Sequence, residues 1–451
     1  MSELPPGWEW TTLGDIAESV KNGIYISRPG AIPDGVPILR INAVRPAELR
    51  LDQIRYSGKG IKNLQSEGAL LEPGDLLFTR YSGSRDYVGV CAITPDNVGL
   101  LTYPDKLIRV RLKEVEPRYV MFAFSSPPVR AVVESSLRTT AGQVGISGAN
   151  LKAVRIPLAP LAEQRRIVAV LEDHLSAIDE GLTSLQVARR KTSFFAAAEL
   201  DEAFRTLAYG RVVHLREILR EPLRNGYSGR ATTNGRGVRV ITLTAVTKNQ
   251  FIEKNVKLCE TGGRDVSDLW LERGDILIQR ANTPELVGTA ALYSGNSNWS
   301  IFPDLLIRIR ANDEILPEFL NAVLSTKRMR EHFRASAKGL AGTMPKIDQS
   351  AVENATLCLP SLDTQREVVD KISEIGRVAM KLNADMKLAE CKADRLRASL
   401  LTEGFAGRLV PQDPDDEPAS VLLKRIKTDR VAQPKPKQAR RNTDPDQERM
   451  L

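Results

Sequence analysis

The sequence is poor in the residues that bind metals and form disulfides. Its 451 residues include four cysteines, at positions 91, 259, 358 and 391, and three histidines, at positions 174, 214 and 332. The cysteines lie far apart and form no Cys-x-x-Cys pair, so we expect neither a structural zinc site nor a disulfide framework. No window approaches the run of about 18 apolar residues that a membrane span requires. We therefore expect no metal in this chain and no membrane contact.

Targeting and catalytic motifs are also missing. The first residues, MSELPPGW, have neither the basic nor the apolar region of a signal peptide, so we expect a cytoplasmic location. There is no Gly-x-x-x-x-Gly-Lys-Ser/Thr loop, no His-Glu-x-x-His and no Gly-x-Ser-x-Gly. Pro-Asp pairs at 104 and 303 resemble half of a nuclease motif, but Lys106 becomes Leu305 in the second pair. We interpret both pairs as structural turns and expect no catalytic residue.

Charge points to a class of partner. The chain has 64 Lys and Arg against 56 Asp and Glu, a formal net charge of +8. An excess of basic residues favours a polyanionic partner without establishing one.

What the sequence does have is an internal duplication. Residues 71–77 (LEPGDLL) return as residues 271–277 (LERGDIL), an offset of 200, and residues 104–111 (PDKLIRVR) return as residues 303–310 (PDLLIRIR), an offset of 199. Residues 35–44 and 237–246 match at an offset of 202. A register kept over separate segments indicates a repeat. Within each copy, short β-branched runs alternate with Gly, Pro and Asp, which predicts a mixed α/β globule of roughly 150 residues.

A heptad pattern follows each copy. Apolar residues alternate at spacings of three and four from Leu171 to Leu185 and from Ile372 to Leu400. The spacing predicts two long helices, and about 40 helical residues would span roughly 60 Å. Because the helices are similar, we expect an antiparallel coiled coil with pseudo-twofold symmetry; the alternative is that each helix packs on its own globule. The predicted boundaries are 1–157 and 209–358 for the globules and 158–208 and 359–410 for the helices. Residues 411–451 are predicted to form a flexible basic tail, with a short candidate helix from Ala419 to Thr428.

Three polar loops in each copy carry side chains that suit nucleic-acid recognition. Arg and Lys bind guanine, Asn and Gln bind adenine, Ser and Thr bind either, and further basic groups hold phosphates. Equivalent loops share their glycines but differ in these side chains, as copies with different targets would, although drift on solvated loops would look similar. The candidates in the first copy are Lys21, Asn22, Tyr25, Ser27, Arg28, Thr79, Arg80, Tyr81, Ser82, Ser84, Arg85, Thr140 and Gln143. Those in the second copy are Arg224, Asn225, Tyr227, Arg230, Gln279, Arg280, Asn282, Thr283, Lys338, Thr343 and Lys346.

Three further segments resemble the specificity subunits of type I restriction-modification systems. They are residues 4–16 (LPPGWEWTTLGDI), residues 157–167 (PLAPLAEQRRI) and residues 404–419 (GFAGRLVPQDPDDEPA). Together with the duplication, the likeness covers nearly the whole chain. It departs from the family pattern at the second helix start, where Thr364 stands in place of the glutamate before Gln365.

The resemblance implies a non-catalytic subunit with two target-recognition domains. Each domain would recognise one half of a split, asymmetric double-stranded DNA site, and the helices would set the spacer between the halves. Two methyltransferase subunits would dock on the helices, with restriction-translocase subunits completing a bacterial or archaeal complex. S-adenosylmethionine and ATP with Mg²⁺ would reside on those partners, and no cofactor on this chain. Candidates for partner contacts are Glu163, Gln164, Arg165, Gln365, Arg366 and Phe405.

Three other interpretations stay open at this point. A standalone sequence-specific DNA-binding regulator would bind its operator without a partner. The recognition part of a fused restriction-methylation enzyme would need cofactor and catalytic motifs, for which the repeat leaves no room. A structural coiled-coil scaffold would not need polar, arginine-bearing loops in each copy.

Overall fold

The computed structural model describes residues 3–26, 29–30, 34–52, 54–140, 143–205, 210–232, 236–247, 249–339 and 344–432. The described chain divides into two units. The first unit contains the residues up to Ser184 together with those from Leu388 onward, and the second contains Leu185–Lys387. None of the helices in these ranges combines the length and the apolar composition that crossing a membrane requires.

The first unit contains the first copy of the repeat. Its strands are β1 (Glu9–Thr12), β2 (Ala17–Asn22), β3 (Pro37–Ile38), β4 (Val44–Arg45), β5 (Glu48–Leu49), β6 (Arg55–Tyr56), β7 (Leu76–Thr79), β8 (Tyr81–Ser82), β9 (Cys91–Ile93), β10 (Leu107–Leu112), β11 (Arg138–Thr140), β12 (Gln143–Gly145) and β13 (Arg155–Leu158). Its helices are α1 (Leu13–Ile16), α2 (Ile61–Ser66), α3 (Pro117–Ser125), α4 (Pro127–Ser135), α5 (Gly148–Lys152) and the start of α6 (Leu161–Arg205).

The second unit contains the second copy. Its strands are β14 (Arg211–His214), β15 (Arg224–Asn225), β16 (Arg230–Ala231), β17 (Val238–Ile241), β18 (Val256–Glu260), β19 (Ile276–Gln279), β20 (Ala290–Leu292), β21 (Leu306–Ile309) and β22 (Thr356–Leu359). Its helices are α7 (Pro317–Ser325), α8 (Lys327–Ser336), α9 (Gln349–Glu353) and the start of α10 (Leu362–Phe405). The end of α10 and the last helix, α11 (Ala419–Ala432), belong to the first unit.

A four-stranded antiparallel sheet organises each unit. Its strand order is β2-β10-β7-β9 in the first unit and β15-β21-β19-β20 in the second. The register repeats as well, because Val110 lies opposite Leu76 and Ile309 lies opposite Ile276. In each unit the first strand also pairs with the last, β1 with β13 and β14 with β22. The described chain is thus mixed α/β, and both units contain the same four-stranded sheet and the same two-stranded pairing.

A buried ion pair fixes the turn that leads into the central strand of each sheet. Gly74 takes a φ of 79°, which suits glycine, and Asp75 behind it accepts a 2.8 Å hydrogen bond from the backbone N of Glu72. The Asp75 carboxylate also pairs with Arg111 at 2.8 Å. The second unit repeats the arrangement with Gly274, Glu272, Asp275 and Arg310. Burial raises the pKa of Asp275, and the hydrogen bond from Arg310 opposes that shift.

Helices α6 and α10 are 45 and 44 residues long, and each contributes to both units. In the first unit, Phe405 at the end of α10 packs on Tyr119 with ring centroids 5.0 Å apart, and Ile167 and Leu171 near the start of α6 share its core. In the second unit, Phe204 near the end of α6 packs against the core that contains Val368. Within each unit, therefore, the start of one long helix packs with the end of the other.

The C-terminal segment differs from the flexible tail predicted for 411–451. Helix α11 buries Ala419, Leu422 and Ile426 in the core of the first unit. Spacings of three and four place these residues on one helix face. The segment is rich in charged residues, so its overall composition does not reveal this apolar face. Ion pairs from Lys113 to Asp429 at 2.7 Å and from Arg425 to Glu114 at 2.6 Å flank that face. The candidate helix at 419–428 is therefore present, but the prediction of a flexible tail was wrong for residues 419–432. Residues 433–451 lie outside the described ones.

Candidate nucleic-acid interface

The candidate loops extend from one end of the four-stranded sheet. In the first unit β10 runs antiparallel to β2 and β7, so its start lies beside the ends of both neighbours. Asn22 at the end of β2 pairs with Ile108, and Thr79 at the end of β7 pairs with Leu107. The loops that follow these two strands therefore leave the sheet side by side.

A glycine holds the first loop against the Pro-Asp turn. The backbone N of Gly23 donates to Leu107 O at 3.1 Å, and a Cβ on Gly23 would lie 2.2 Å from Pro104 O. Gly226 repeats this in the second unit, where a Cβ would lie 2.1 Å from Phe302 O. No larger residue fits at these distances unless the turn moves. The glycines shared by the loops therefore serve the close approach of two backbones.

The second and third loops join in both units. The backbone N of Arg80 donates to Lys106 O at 2.8 Å, and Arg80 O accepts from the N of Ile146 at 3.0 Å. The second unit has the same two bonds, from Arg280 N to Leu305 O at 2.8 Å and from Ile347 N to Arg280 O at 2.9 Å. Backbone hydrogen bonds thus join the three loops of a unit at its Pro-Asp turn, at one end of the four-stranded sheet.

The structure separates the candidates by exposure. Those on the surface are Lys21, Asn22, Tyr25, Arg85, Gln143, Arg224, Asn225, Arg230, Thr283, Lys338 and Lys346. Those partly covered are Arg80, Tyr81, Ser82, Ser84, Tyr227, Arg280 and Asn282. Thr79 and Gln279 are buried at strand ends, where Gln279 Oε1 accepts from Asn282 Nδ2 at 2.6 Å. Ser27, Arg28 and Thr343 lie outside the described residues, as does the side chain of Thr140. A nucleic-acid contact stays a prediction for every member of the set.

Several of the basic side chains are held in place. The guanidinium of Arg80 lies 4.8 Å from the ring centroid of Tyr81, and its Nη1 donates to Asp105 O at 3.4 Å. In the second unit Lys338 pairs with Asp348 at 3.0 Å. The hydrogen bond from the backbone N of Ala351, followed by the one from Lys338, lowers the pKa of Asp348. The loop surface therefore offers hydrogen-bond donors in fixed orientations. Separately, the described ranges hold no cluster of three or more metal-binding side chains.

Comparison with known proteins finds relatives of one kind. Residues 5–185 match the model of the type I restriction modification DNA specificity domain. The specificity subunit of the type I restriction enzyme StySPI from Salmonella potsdam is 25% identical, over 95% of this chain and 96% of that protein. The specificity subunit of the type I restriction enzyme EcoKI from Escherichia coli K12 is 37% identical, over 42% of this chain and 41% of that protein. The chain is thus similar to type I restriction-modification specificity subunits, over residues 5–185 by the domain model and over most of its length by the StySPI subunit.

Solved structures agree at the level of the fold. A chain from a structure that concerns complex assembly and conformational transition of the type I R-M system aligns with a TM-score of 0.72 at 20% identity. The alignment covers 91% of this chain and 100% of that chain. The HsdS subunit from Thermoanaerobacter tengcongensis aligns with a TM-score of 0.55 at 19% identity, over 90% of this chain and 99% of that one.

Two glutamines predicted to contact a partner are buried inside this chain. Gln164 Nε2 donates to Ala159 O at 2.8 Å, and its Oε1 accepts from the N of Glu116 at 3.1 Å. Gln365 makes the equivalent bonds to Pro360 O at 3.0 Å and from the N of Leu316 at 2.8 Å. Both side chains fasten a helix start to its globule and are fully buried. Their predicted role is corrected accordingly, because a partner cannot reach them in this conformation.

The other partner candidates divide between core and surface. Glu163 is 1% exposed and accepts from Trp8 Nε1 at 2.9 Å, while Phe405 is 7% exposed. Burial raises the pKa of Glu163, and the hydrogen bond from Trp8 opposes that shift. Arg165 and Arg366 are exposed. For these two arginines, contact with a partner subunit stays a prediction.

Sequence reasoning missed an arginine that anchors the second loop of each unit. Arg130 in α4 donates to Val88 O at 2.6 Å, to Asp86 O at 3.2 Å and to Arg85 O at 3.3 Å. Arg330 in α8 donates to Val287 O at 3.0 Å and to Glu285 O at 2.6 Å. Carbonyl acceptors do not depend on side-chain identity, so the loop residues can differ while the anchor stays. In the sequence, the one indication of their shared role is that the two arginines stand 200 residues apart, at the offset of the repeat.

Proposed function

We propose that this chain is the DNA sequence-specificity subunit of a type I restriction-modification complex. Each globule recognises one half of a bipartite, asymmetric DNA site through the three loops at its sheet end. The chain itself is not catalytic. It positions two methyltransferase subunits and the restriction-translocase subunits in the cytoplasm, and those partners carry S-adenosylmethionine and ATP with Mg²⁺.

One observation carries this proposal: the two units share a backbone frame and differ in the side chains that the frame displays. The bonds from Gly23 and Gly226 and those at Arg80 and Arg280 are repeated. By contrast, Tyr81 and Ser82 on the loop of the first unit are replaced by Ala281 and Asn282 in the second. A shared frame with different donors and acceptors is what two domains need to recognise different base sequences.

The two long helices are proposed to form an antiparallel coiled coil that sets the distance between the half-sites. Support comes from each unit separately. In the first unit, a Cβ on Gly404 would lie 3.6 Å from Ile167 and 3.7 Å from Leu171, and Arg397 pairs with Asp179 further along. Since residue numbers rise on one helix as they fall on the other, the paired segments run in opposite directions. The duplication would then relate the two globules by a pseudo-twofold axis, as in a symmetric dimer on DNA.

The test is a map of methylated adenines in a host that expresses this chain with its methyltransferase partner. We expect methylation at a single sequence made of two different short blocks separated by a spacer of fixed length. Exchanging residues 1–157 for the same region of a subunit with another specificity should change one block only. A change in both blocks would contradict independent recognition by the two globules.

A binding measurement distinguishes the proposal from a standalone regulator. We expect weak specific binding by the isolated chain and much tighter binding after the methyltransferase partner is added, because the partner contributes contacts to the same DNA. Tight specific binding by the chain alone, without any gain on adding the partner, would favour the regulator.

A further inference from the structure

A stacked arginine lies beside the candidate loops of the first unit. The guanidinium of Arg45 sits 4.7 Å from the ring centroid of Tyr87, a side chain that is 40% exposed. Arg45 Nη1 donates to Val44 O at 3.0 Å. Glu48, across the same hairpin, pairs instead with Arg50 at 2.9 Å. Among the described residues, no carboxylate forms an ion pair with Arg45, so its charge is available to a partner.

The topology places this pair at the same end of the sheet as the loops. Arg45 lies on the β4–β5 hairpin, whose Ala47 donates from its backbone N to Cys91 O at 2.9 Å. Cys91 begins β9 and lies opposite Phe78, next to the end of β7 where the second loop starts. Tyr87 follows that loop directly, and Arg130 holds the carbonyls of Arg85 and Asp86 before it. The pair therefore continues the row of loops beyond β9.

The second unit keeps two backbone features of this hairpin and lacks the pair. Ala47 and Asn249 have matching positive φ values of 56° and 54°. The bond from Arg50 N to Ala43 O, 2.8 Å, recurs from Ile252 N to Ala245 O at 2.9 Å. Thr247 and Leu286 occupy the positions of Arg45 and Tyr87. Since these two features form without them, the turn does not require an arginine stacked on a tyrosine at this place.

We propose that Arg45, held by Tyr87, binds a guanine in the half-site recognised by the first unit. The inference rests on the proposed function and extends it to a base and a residue. A guanidinium presents two parallel donors that match the O6 and N7 acceptors of guanine in the major groove. Stacking on an aromatic ring fixes the plane of those donors before binding, which reduces the entropy lost when the contact forms. Tyr87 acts here as a positioning residue.

The test uses the full chain in complex with its methyltransferase partner. After the methylated site is mapped, binding is measured to duplexes that carry each base substitution in both half-sites. The variants are Arg45→Ala, Arg45→Lys and Tyr87→Leu, the last of which introduces the residue of the second unit. Arg50→Ala is the matched control, because Arg50 is an exposed arginine on the same hairpin that is paired with Glu48.

We expect Arg45→Ala to weaken binding to the mapped site by about tenfold or more and to remove discrimination at one guanine of one half-site. Arg45→Lys should recover part of the affinity without the discrimination, because lysine lacks the planar fork. Tyr87→Leu should weaken discrimination at the same base, and Arg50→Ala should change binding about equally for all duplexes. Unchanged recognition of the other half-site shows that each variant is folded.

Three results would overturn the inference. A uniform loss in Arg45→Ala, like that of Arg50→Ala, would make Arg45 a phosphate contact. Discrimination that survives intact would exclude a base contact. Failure of the unmodified complex to methylate any bipartite site would overturn the proposed function and this inference with it, whereas the first two results leave the proposed function standing.

Discussion

Glu163 at the start of α6 carries a buried carboxyl group that contacts both the N-terminal segment and the segment before α11. Trp8 donates to its Oε2 at 2.9 Å, and Gln412 donates to its Oε1 at 3.4 Å. Arg166 beside it pairs with Asp416 at 2.6 Å. The group therefore links the N-terminal segment, α6 and the chain that leads to α11, and its protonation affects how firmly they hold together.

The variant Glu163→Gln tests how the stability of the first unit depends on pH. Burial raises the pKa of Glu163 above its usual 4.5, so the folded unit binds the proton more tightly than the unfolded chain. Ionised Glu163 thus lowers stability at neutral pH, and this cost disappears as the pH falls through the raised pKa towards 4.5. The glutamine keeps an acceptor for Trp8 without the charge. We expect the variant to be more stable than the unmodified chain at pH 7, with the difference shrinking on acidification.

Hydrogen exchange of the amides in β1 and α11, measured from pH 7 to pH 4.5, checks this expectation after correction for the intrinsic exchange rate. Glu180→Gln, on an exposed part of the same helix, is the control and should show no such trend. A difference between Glu163→Gln and the unmodified chain that grows on acidification would have the wrong sign for a raised pKa.

Individual residues were predictable from sequence only where the repeat marked them. Asp75 and Asp275 follow matching glycines, and their turns and strands form as expected. Gln164 and Gln365 occupy equivalent positions too, but a polar residue at a helix start is as compatible with a surface contact as with a buried cap. Arg45 and Tyr87 are 42 positions apart and lack a counterpart in the second copy, so no local pattern linked them.

Among the elements, α11 is the one whose docking the sequence did not predict, because the candidate helix at 419–428 was assigned to a flexible tail. The long helices extend beyond their heptad seams, to Leu161–Arg205 and Leu362–Phe405, because good helix-forming residues continue on both sides. Helix α11 is short and charged, and it follows residues 411–418, which contain three prolines and several acidic residues, a composition typical of a tail. Its stability comes from docking, since an isolated helix of about 12 to 15 residues is marginal in water.

Leu422→Ala tests the docking of α11. Leu422 is 1% exposed in the core of the first unit, so its truncation should cost about 2–5 kcal/mol of stability there through lost burial and the cavity left behind. Val421→Ala is the matched control, because Val421 lies on the same helix and is 41% exposed. The control should change stability by no more than about 0.5 kcal/mol. Denaturant unfolding, followed by hydrogen exchange of amides in α1 and α11, measures the stability of both variants. Equal losses of stability would mean that α11 is not packed as described.

At the scale of the whole molecule, the period of about 200 residues was the most informative feature of the sequence. It predicted two mixed α/β globules from matches such as residues 71–77 with 271–277, and the repeated sheet order confirms that class of fold. What the period could not supply is the base sequence that each unit recognises, because that depends on the reach of side chains that differ between the copies. Lys106 and Leu305, at the same position of the two Pro-Asp turns, illustrate the limit.

The proposed role of the long helices makes a prediction about spacer length. Three heptads inserted into α6 between Ser184 and Leu185, and three into α10 between Lys387 and Leu388, would lengthen each helix by about 32 Å. One turn of B-DNA is about 34 to 36 Å, so both globules would still face the same side of the duplex. We expect the mapped half-sites to stay the same and the spacer to grow by about nine or ten base pairs.

Two heptads in each helix add only about 21 Å, which is more than half a turn of DNA and leaves the globules out of phase. Methylation by that variant should be much weaker than by the three-heptad variant, although its insertion is smaller. An insertion of three heptads into α6 alone is the control for added length. It makes the apolar seam of α6 longer than that of α10, so the two helices can no longer pair along their length, and specific methylation should be abolished. An unchanged spacer in the variant with both insertions would show that the helices do not set the distance between the half-sites, whatever else they hold together.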